Sequence, residues 1–248
     1  VLVLLVSSSL LAACATRGGN GAEVAGDPID PLEPLNRQVL DFNLALDDAV
    51  IAPVARAYRD VVPEYARLRI RAFLDNLQEP RVLANNLLQL RLLDAGHTTL
   101  RFVFNSTAGV GGLFDVATGW GIARRSGDFG QTLYVWGIEE SPYVMLPMLG
   151  PSTGRDTVGL VADGFLNPIN WLMPIEADLA RGVVDGIDLR EQNLESLDEL
   201  RRGSLDFYAR LRSVWLQRRD AELGRDGADA EEQQRPDVLE DPEAAAAR

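Results

Sequence analysis

The chain of 248 residues has no lysine; all 24 of its basic residues are arginine. It has one histidine, His97, and one cysteine, Cys14. Without lysine there is no Schiff-base amine and no phosphate-loop lysine. One histidine and one cysteine leave little for acid–base or nucleophilic catalysis, and an intrachain disulfide is excluded. A metal site would need carboxylates alone, so neither a metal nor a cofactor is expected. No basic patch interleaved with aromatics occurs, which argues against nucleic acid. No Gly-x-Ser-x-Gly elbow occurs, which disfavours a lipase of that type.

The most apolar run is residues 2–14, LVLLVSSSLLAAC. It is too short to stay in a bilayer, since a spanning helix needs about 20 apolar residues. Small residues followed by a single cysteine, Leu11-Ala12-Ala13-Cys14, form a bacterial lipobox. Residues 1–13 therefore read as a signal peptide cleaved before Cys14, whose thiol takes diacylglycerol and whose new N-terminus is acylated. The run opens at Val1 without the usual positive residues, as expected of a truncated start or a non-Met codon read literally. Ala15 in place of Asp favours, by the sorting rule of bacterial lipoproteins, export to the outer membrane.

Residues 14–30 read as a lipidated, Gly/Ala-rich flexible tether. Residues 31–222 read as one mainly α-helical domain, and residues 223–248 as an acidic disordered tail. Ten acidic residues and three arginines from Asp220 onward account for −7 of the net charge of −13, so the body carries an ordinary surface charge. Between Pro34 and Pro53, Val39, Phe42, Leu46 and Val50 follow helical spacing, and Leu40 and Leu44 widen the apolar face. A helix greasy on two sides is central to a core or lies against lipid. A second helix is predicted after Pro63, a third opening at Pro80, and a fourth near 94–106. Asn85, Asn86 and Gln89 interrupt the Leu-rich third helix at helical spacing. Twelve of the 22 glycines fall between Gly109 and Gly164, which predicts an irregular middle. Residues 131–148 hold two β-branched and aromatic runs around Glu139-Glu140-Ser141, predicting one short hairpin. Residues 165–175 carry no charge. A long helix is predicted over 188–222.

Isolated motifs carry little alone. Gly109-Val110-Gly111-Gly112 fits a tight turn better than a phosphate cradle. His97 fits a surface or core-edge position, and Asn105-Ser106-Thr107 a helix end. Ser152-Thr153-Gly154-Arg155-Asp156 fits a helix cap with a local ion pair, with phosphate contact by Arg155 as the alternative. Trp120, Trp136 and Trp171 fall in the Gly/Pro-rich half, and the charge-free stretch beside Trp171 points to a membrane interface.

Taken in order, several segments resemble the MlaA (also called VacJ) family of outer-membrane lipoproteins from about Asp27 to Trp215. They are Asp30-Pro31-Leu32-Glu33-Pro34-Leu35-Asn36-Arg37; Asn76-Leu77-Gln78-Glu79-Pro80 with Asn85 and Asn86; Arg101-Phe102 through Asn105-Ser106-Thr107-Ala108-Gly109 and Gly112-Leu113-Phe114-Asp115; Asp128-Phe129-Gly130-Gln131-Thr132-Leu133; and Pro147-Met148-Leu149-Gly150-Pro151-Ser152-Thr153 with Arg155-Asp156. The resemblance implies a doughnut-like helical disc in the inner leaflet of the outer membrane, crossed by an amphipathic channel. It implies association with a trimeric porin. It also implies removal of stray phospholipid from the outer leaflet to a soluble periplasmic carrier, which maintains lipid asymmetry. It implies no enzyme activity. Candidate channel or headgroup contacts are Asn43, Asn76, Asn85, Asn86 and Arg155; candidate interface residues are Trp120 and Trp171. A porin-associated structural lipoprotein without transport activity is the runner-up. The chain reads Glu139-Glu140-Ser141-Pro142-Tyr143 where the family often has a Gly-x-Gly-Pro-Tyr run, and the charged pair is expected in a solvent-facing turn.

Overall fold

A computed structural model describes residues 29–138 and 141–224. Cys14, the tether, the Glu139-Glu140 pair and the tail from 225 lie outside the described residues. The described residues form eleven α-helices, one π-helical segment and one two-stranded hairpin. Helix α1 (Glu33–Leu46) starts with Glu33 and Pro34, an acidic first turn and a proline that needs no partner for its missing N–H. The π segment Asp47–Ile51 leads directly into α2 (Ala52–Val61), where Pro53 again sits in the first turn. Asp47 and Asp48 in the π segment accept paired hydrogen bonds from Arg190 (2.8 and 2.9 Å) and Arg201 (2.8 and 2.9 Å).

The predicted break at Pro80 does not occur: one helix, α3, runs Glu64–Leu88 with Pro80 inside it. Proline there cannot donate to the Asn76 carbonyl. The helix continues because buried side chains on both sides of Pro80 are held by neighbouring elements, and tertiary packing overrides the local penalty. Helix α4 (Leu92–Thr107) packs along α3. A turn follows, then the short α5 (Val116–Gly119), capped by Asp115.

The hairpin also lies later in the chain than predicted. Asp128 accepts from the Gln131 backbone N–H (2.8 Å) and caps a helix, α6 (Phe129–Val135), over the first predicted strand. The strands are β1 (Tyr143–Leu146) and β2 (Gly150–Thr153), antiparallel, with Tyr143 opposite Thr153. Met148 turns the chain at a φ of 64°. Thr153 caps α7 (Gly154–Leu166), as the Ser-Thr-Gly-Arg-Asp run suggests. Asn167 caps α8 (Pro168–Leu172), within the charge-free stretch.

The predicted helix over 188–222 is three helices: α9 (Ile175–Gln192), α10 (Leu194–Arg202) and α11 (Phe207–Leu223). The chain breaks at Asn193, and again at Gly203 with Asp206 capping the last helix. The apolar core is small. Leu40, Tyr143, Met145 and Tyr208 form it where α1, the hairpin and α11 meet, and Val39, Leu211 and Trp215 flank it.

Candidate functional site

Polarity inside this protein runs opposite to that of a water-soluble one. Among the described residues, twenty buried side chains are polar or charged and twelve are apolar, while Leu, Val, Ile, Phe and Trp crowd the surface. Buried polar groups, not exposed leucines, are the informative observation. They line up on α3, whose inward face presents Asn76, Glu79, Asn85 and Asn86, with Gln89 just beyond its end. Three further elements supply the opposing side: Thr98, Arg101 and Asn105 from α4, Gln131 and Thr132 from α6, and Arg155 and Asp163 from α7. The same helices carry apolar residues outward: Leu100 and Val103 on α4, and Val158, Val161 and Phe165 on α7. On α7 the inward residues Arg155, Gly159 and Asp163 recur every four positions, two charged side chains with a glycine between them where the backbone of Gly130 comes close.

The row is partly cross-linked. Asn85 donates to Asp163 (2.7 Å) and accepts from Thr132 (2.8 Å). Gln89 donates to Thr132 (2.9 Å), and Asn86 to Thr98 (3.2 Å). Asn76 donates to Ser106 (3.0 Å). Arg101 donates to Glu79 (3.1 Å), Thr118 (2.9 Å), the Ile122 carbonyl (2.6 Å) and Asp115 (3.0 Å). Yet Asn76 Oδ1, Glu79 Oε2, Asn86 Oδ1, Gln89 Oε1 and both side-chain polar atoms of Gln131 are sealed from solvent without a partner. Buried polar atoms are normally satisfied, so a run of orphans along one helix face is unusual. Burial pushes the Glu79 carboxyl up, against the opposing pull of Arg101. Burial likewise raises Asp163, although Arg81, Asn85 and the Phe129 backbone N–H favour its charge. At Asp128 burial is outweighed by Arg219 and the carboxyl is held down.

Of the sequence-derived candidates, Asn76, Asn85 and Asn86 lie together in this row. Arg155 is buried beside it, donating to the Ile138 carbonyl (3.3 Å), pairing with Asp156 (3.3 Å) and lying 5.4 Å from the Tyr134 ring centre. Asn43 sits apart and binds the hairpin backbone, donating to Leu146 (2.9 Å) and accepting from Met148 (2.7 Å). Trp120 and Trp171 are both exposed, Trp171 by 73%, and Trp120 packs edge-on against Phe104. His97 accepts from Arg125 (3.1 Å) at the edge of α4.

Backbone N–H groups of the 109–112 loop are all spent on carbonyls of Phe104, Thr107, Ser106 and Asn105, so the loop is a turn and not an anion cradle. A Cβ on Gly112, at φ +94°, would meet the Asn76 side chain at 2.6 Å. Sequence reasoning passed over Glu79, Arg101, Gln131 and Asp163. The signal that marks Asp163 is its place eight residues, about two helical turns, beyond Arg155 on the same side of α7.

A family model described as MlaA lipoprotein matches residues 28–222. The chain belongs to the MlaA lipoprotein family. It is 38% identical over 225 residues to the intermembrane phospholipid transport system lipoprotein MlaA of Escherichia coli, covering 88% of this chain and 86% of that protein. An uncharacterized protein of Rickettsia felis is 32% identical, over 83% of this chain and 82% of its own length. A solved chain from work on the structural basis for maintenance of bacterial outer membrane lipid asymmetry superposes with a TM-score of 0.71. It is 38% identical, covering 78% of this chain and 98% of that one. Both the mainly helical architecture and the single hairpin are therefore those of an MlaA protein.

Proposed function

We propose that this protein passes phospholipids out of the outer membrane along the buried polar row of α3, α4, α6 and α7, with the lipid headgroup on the polar face. Membership of the MlaA family makes the chain a lipoprotein of intermembrane phospholipid transport that maintains outer-membrane lipid asymmetry, and not an enzyme. One observation carries the finer reading: polar side chains with unspent hydrogen-bonding atoms lie inside, and apolar side chains lie outside. Taking a charged headgroup through hydrocarbon costs several kcal/mol or more. A polar interior in an apolar shell lowers that barrier without covalent chemistry. None of the described helices is long and apolar enough to cross a membrane, which suits a protein seated in the periplasmic leaflet and anchored through Cys14.

A trimeric porin and a soluble periplasmic carrier are the partners this reading requires, as the family resemblance implies. Deletion of the gene should expose phospholipid at the cell surface and weaken the detergent barrier. A porin defect with a normal outer leaflet would instead favour the structural-lipoprotein reading.

A further inference from the structure

Helix α3 carries four arginines, and one of them is unlike the rest. Arg67 lies 3.6 Å from Glu191, Arg71 pairs with Asp188 (2.9 Å), and Arg81 lies 3.7 Å from Asp163. Arg69 has no carboxylate within ion-pair distance and no side-chain hydrogen bond among the described residues. Its Nε is sealed from solvent with no partner. What holds it is aromatic: the guanidinium carbon lies 5.0 Å from the Tyr65 ring centre and 4.7 Å from that of Phe114. Arg91 is likewise half-buried without a carboxylate partner among the described residues, but Arg69 alone combines that with a sealed, unpartnered Nε and two aromatic rings against its guanidinium, an arrangement that calls for an external anion.

We propose that Arg69, clamped between Tyr65 and Phe114, is a docking site for the phosphodiester of a phospholipid headgroup. Two aromatic faces fix the guanidinium plane by cation–π attraction and leave its edge for the ligand. That planar fork matches the oxygens of a phosphate, and the charge-assisted bonds it makes are among the stronger ones. Neighbouring residues fit the rest of the lipid: Leu68, next to Arg69 in the chain, and Val110 and Leu113, in the turn that leads to Phe114, are exposed and offer acyl chains apolar surface. Seven residues further along the same helix face, about 10 Å away, stands Asn76 with its orphaned Oδ1, the first member of the buried polar row. Arg69 therefore stands where a headgroup would be taken up before meeting the row. This assignment rests on the transport reading, because a site at the mouth of the row matters only if lipid moves along it.

The test uses the full chain with its N-terminal anchor, purified in a non-ionic detergent. Binding of dioleoylphosphatidylglycerol in mixed micelles is compared with that of dioleoylglycerol, which lacks the phosphate. Arg69→Gln should weaken phosphatidylglycerol binding by about tenfold, the loss of one charge-assisted contact, and leave dioleoylglycerol binding unchanged. Arg69→Lys, which keeps charge but loses the planar stack, and Phe114→Leu, which keeps apolar bulk but loses the π face, should each fall between. These two variants decide the matter if Arg69→Gln does not fold. Equal phosphatidylglycerol binding by wild type and all variants overturns the Arg69 assignment alone. Wild-type protein that binds no phospholipid overturns the transport reading itself. Complete displacement of the lipid by an equal concentration of inorganic phosphate overturns the lipid part, marking a free-phosphate site.

Discussion

Arg101 is 2% exposed and spends its guanidinium on Glu79, Asp115, Thr118 and the Ile122 carbonyl. It thus ties α3, α4 and α5 together around one charge. Breaking a buried pair by removing one partner leaves the other charge uncompensated, so Arg101→Met should destabilise the protein by about 3–5 kcal/mol. Chemical denaturation in detergent measures this directly, and an unchanged midpoint would contradict the geometry. Asp115 gives a pH signature at the same point. Burial pushes its carboxyl up, but hydrogen bonds from Thr118, Arg101 and Asn105 outweigh that and hold it at about 2, against an ordinary 3.8. A depressed carboxyl contributes stability that is present in full above its unfolded value and is lost as pH falls through its folded value. Stability should therefore decline as pH drops from about 3.8 toward 2, and Asp115→Asn should flatten that part of the profile.

Hairpin β1–β2 hangs on α1 through two asparagine amides seven residues apart. Asn36 donates to the Tyr143 carbonyl (3.2 Å) and accepts from Met145 N–H (2.8 Å), and Asn43 treats Leu146 and Met148 in the same way. Seven helical residues rise about 10 Å. Three residues of extended chain, Tyr143 to Leu146, cover about the same length. Helix and strand repeats thus match, and side-chain amides stand in for a third strand. Asn36→Ala should cost about 1–3 kcal/mol, because Asn36 is buried and leaves backbone groups unpaired. Amide exchange should quicken at Met145 in Asn36→Ala and at Met148 in Asn43→Ala; quickening at neither position would remove the latch. The latch also shows what sequence could and could not tell. Helical spacing announced α1 and α4, and Ser152-Thr153 announced the cap of α7. The hairpin was expected too early, because a β-rich composition over 131–135 yields to the Asp128 cap. Pro80 and the 188–222 run were misjudged for one reason in opposite directions. Local signals neither see the packing that carries α3 through a proline nor weigh a short interruption such as Asn193 or the stretch 203–206. Asn85, Asn86 and Gln89 were legible as polar breaks in a Leu-rich helix, and Asn76 only through the family resemblance. Glu79, Gln131 and Arg69 were not, because their distinction is having too few partners, which only a structure displays.

At the scale of the whole molecule, exposed apolar residues recur on many elements, among them α7, α8 and α9. Phe165 on α7, Leu172 on α8 and Leu179 on α9 are 68%, 81% and 65% exposed along one continuous stretch of chain, with Trp171 among them. Exposed apolar side chains in such numbers mark contact with a membrane or a partner. Each such side chain contributes about 1.5–3 kcal/mol when it leaves water. The apolar surface and the N-terminal acyl chains should therefore hold the protein to lipid independently. Cys14→Ala, which removes the proposed acylation site, should mislocalise the protein in cells, yet the purified variant should still co-sediment with phospholipid vesicles. Adding Phe165→Glu, Leu172→Glu and Leu179→Glu on that background replaces three apolar contacts with carboxylates that hydrocarbon excludes. The combined variant should stay in the supernatant while keeping its helical circular dichroism, since none of the three side chains is buried. If it sediments as fully as Cys14→Ala alone, these residues face water or a protein partner, and the lipid-facing side of the protein must be sought on α1 to α4.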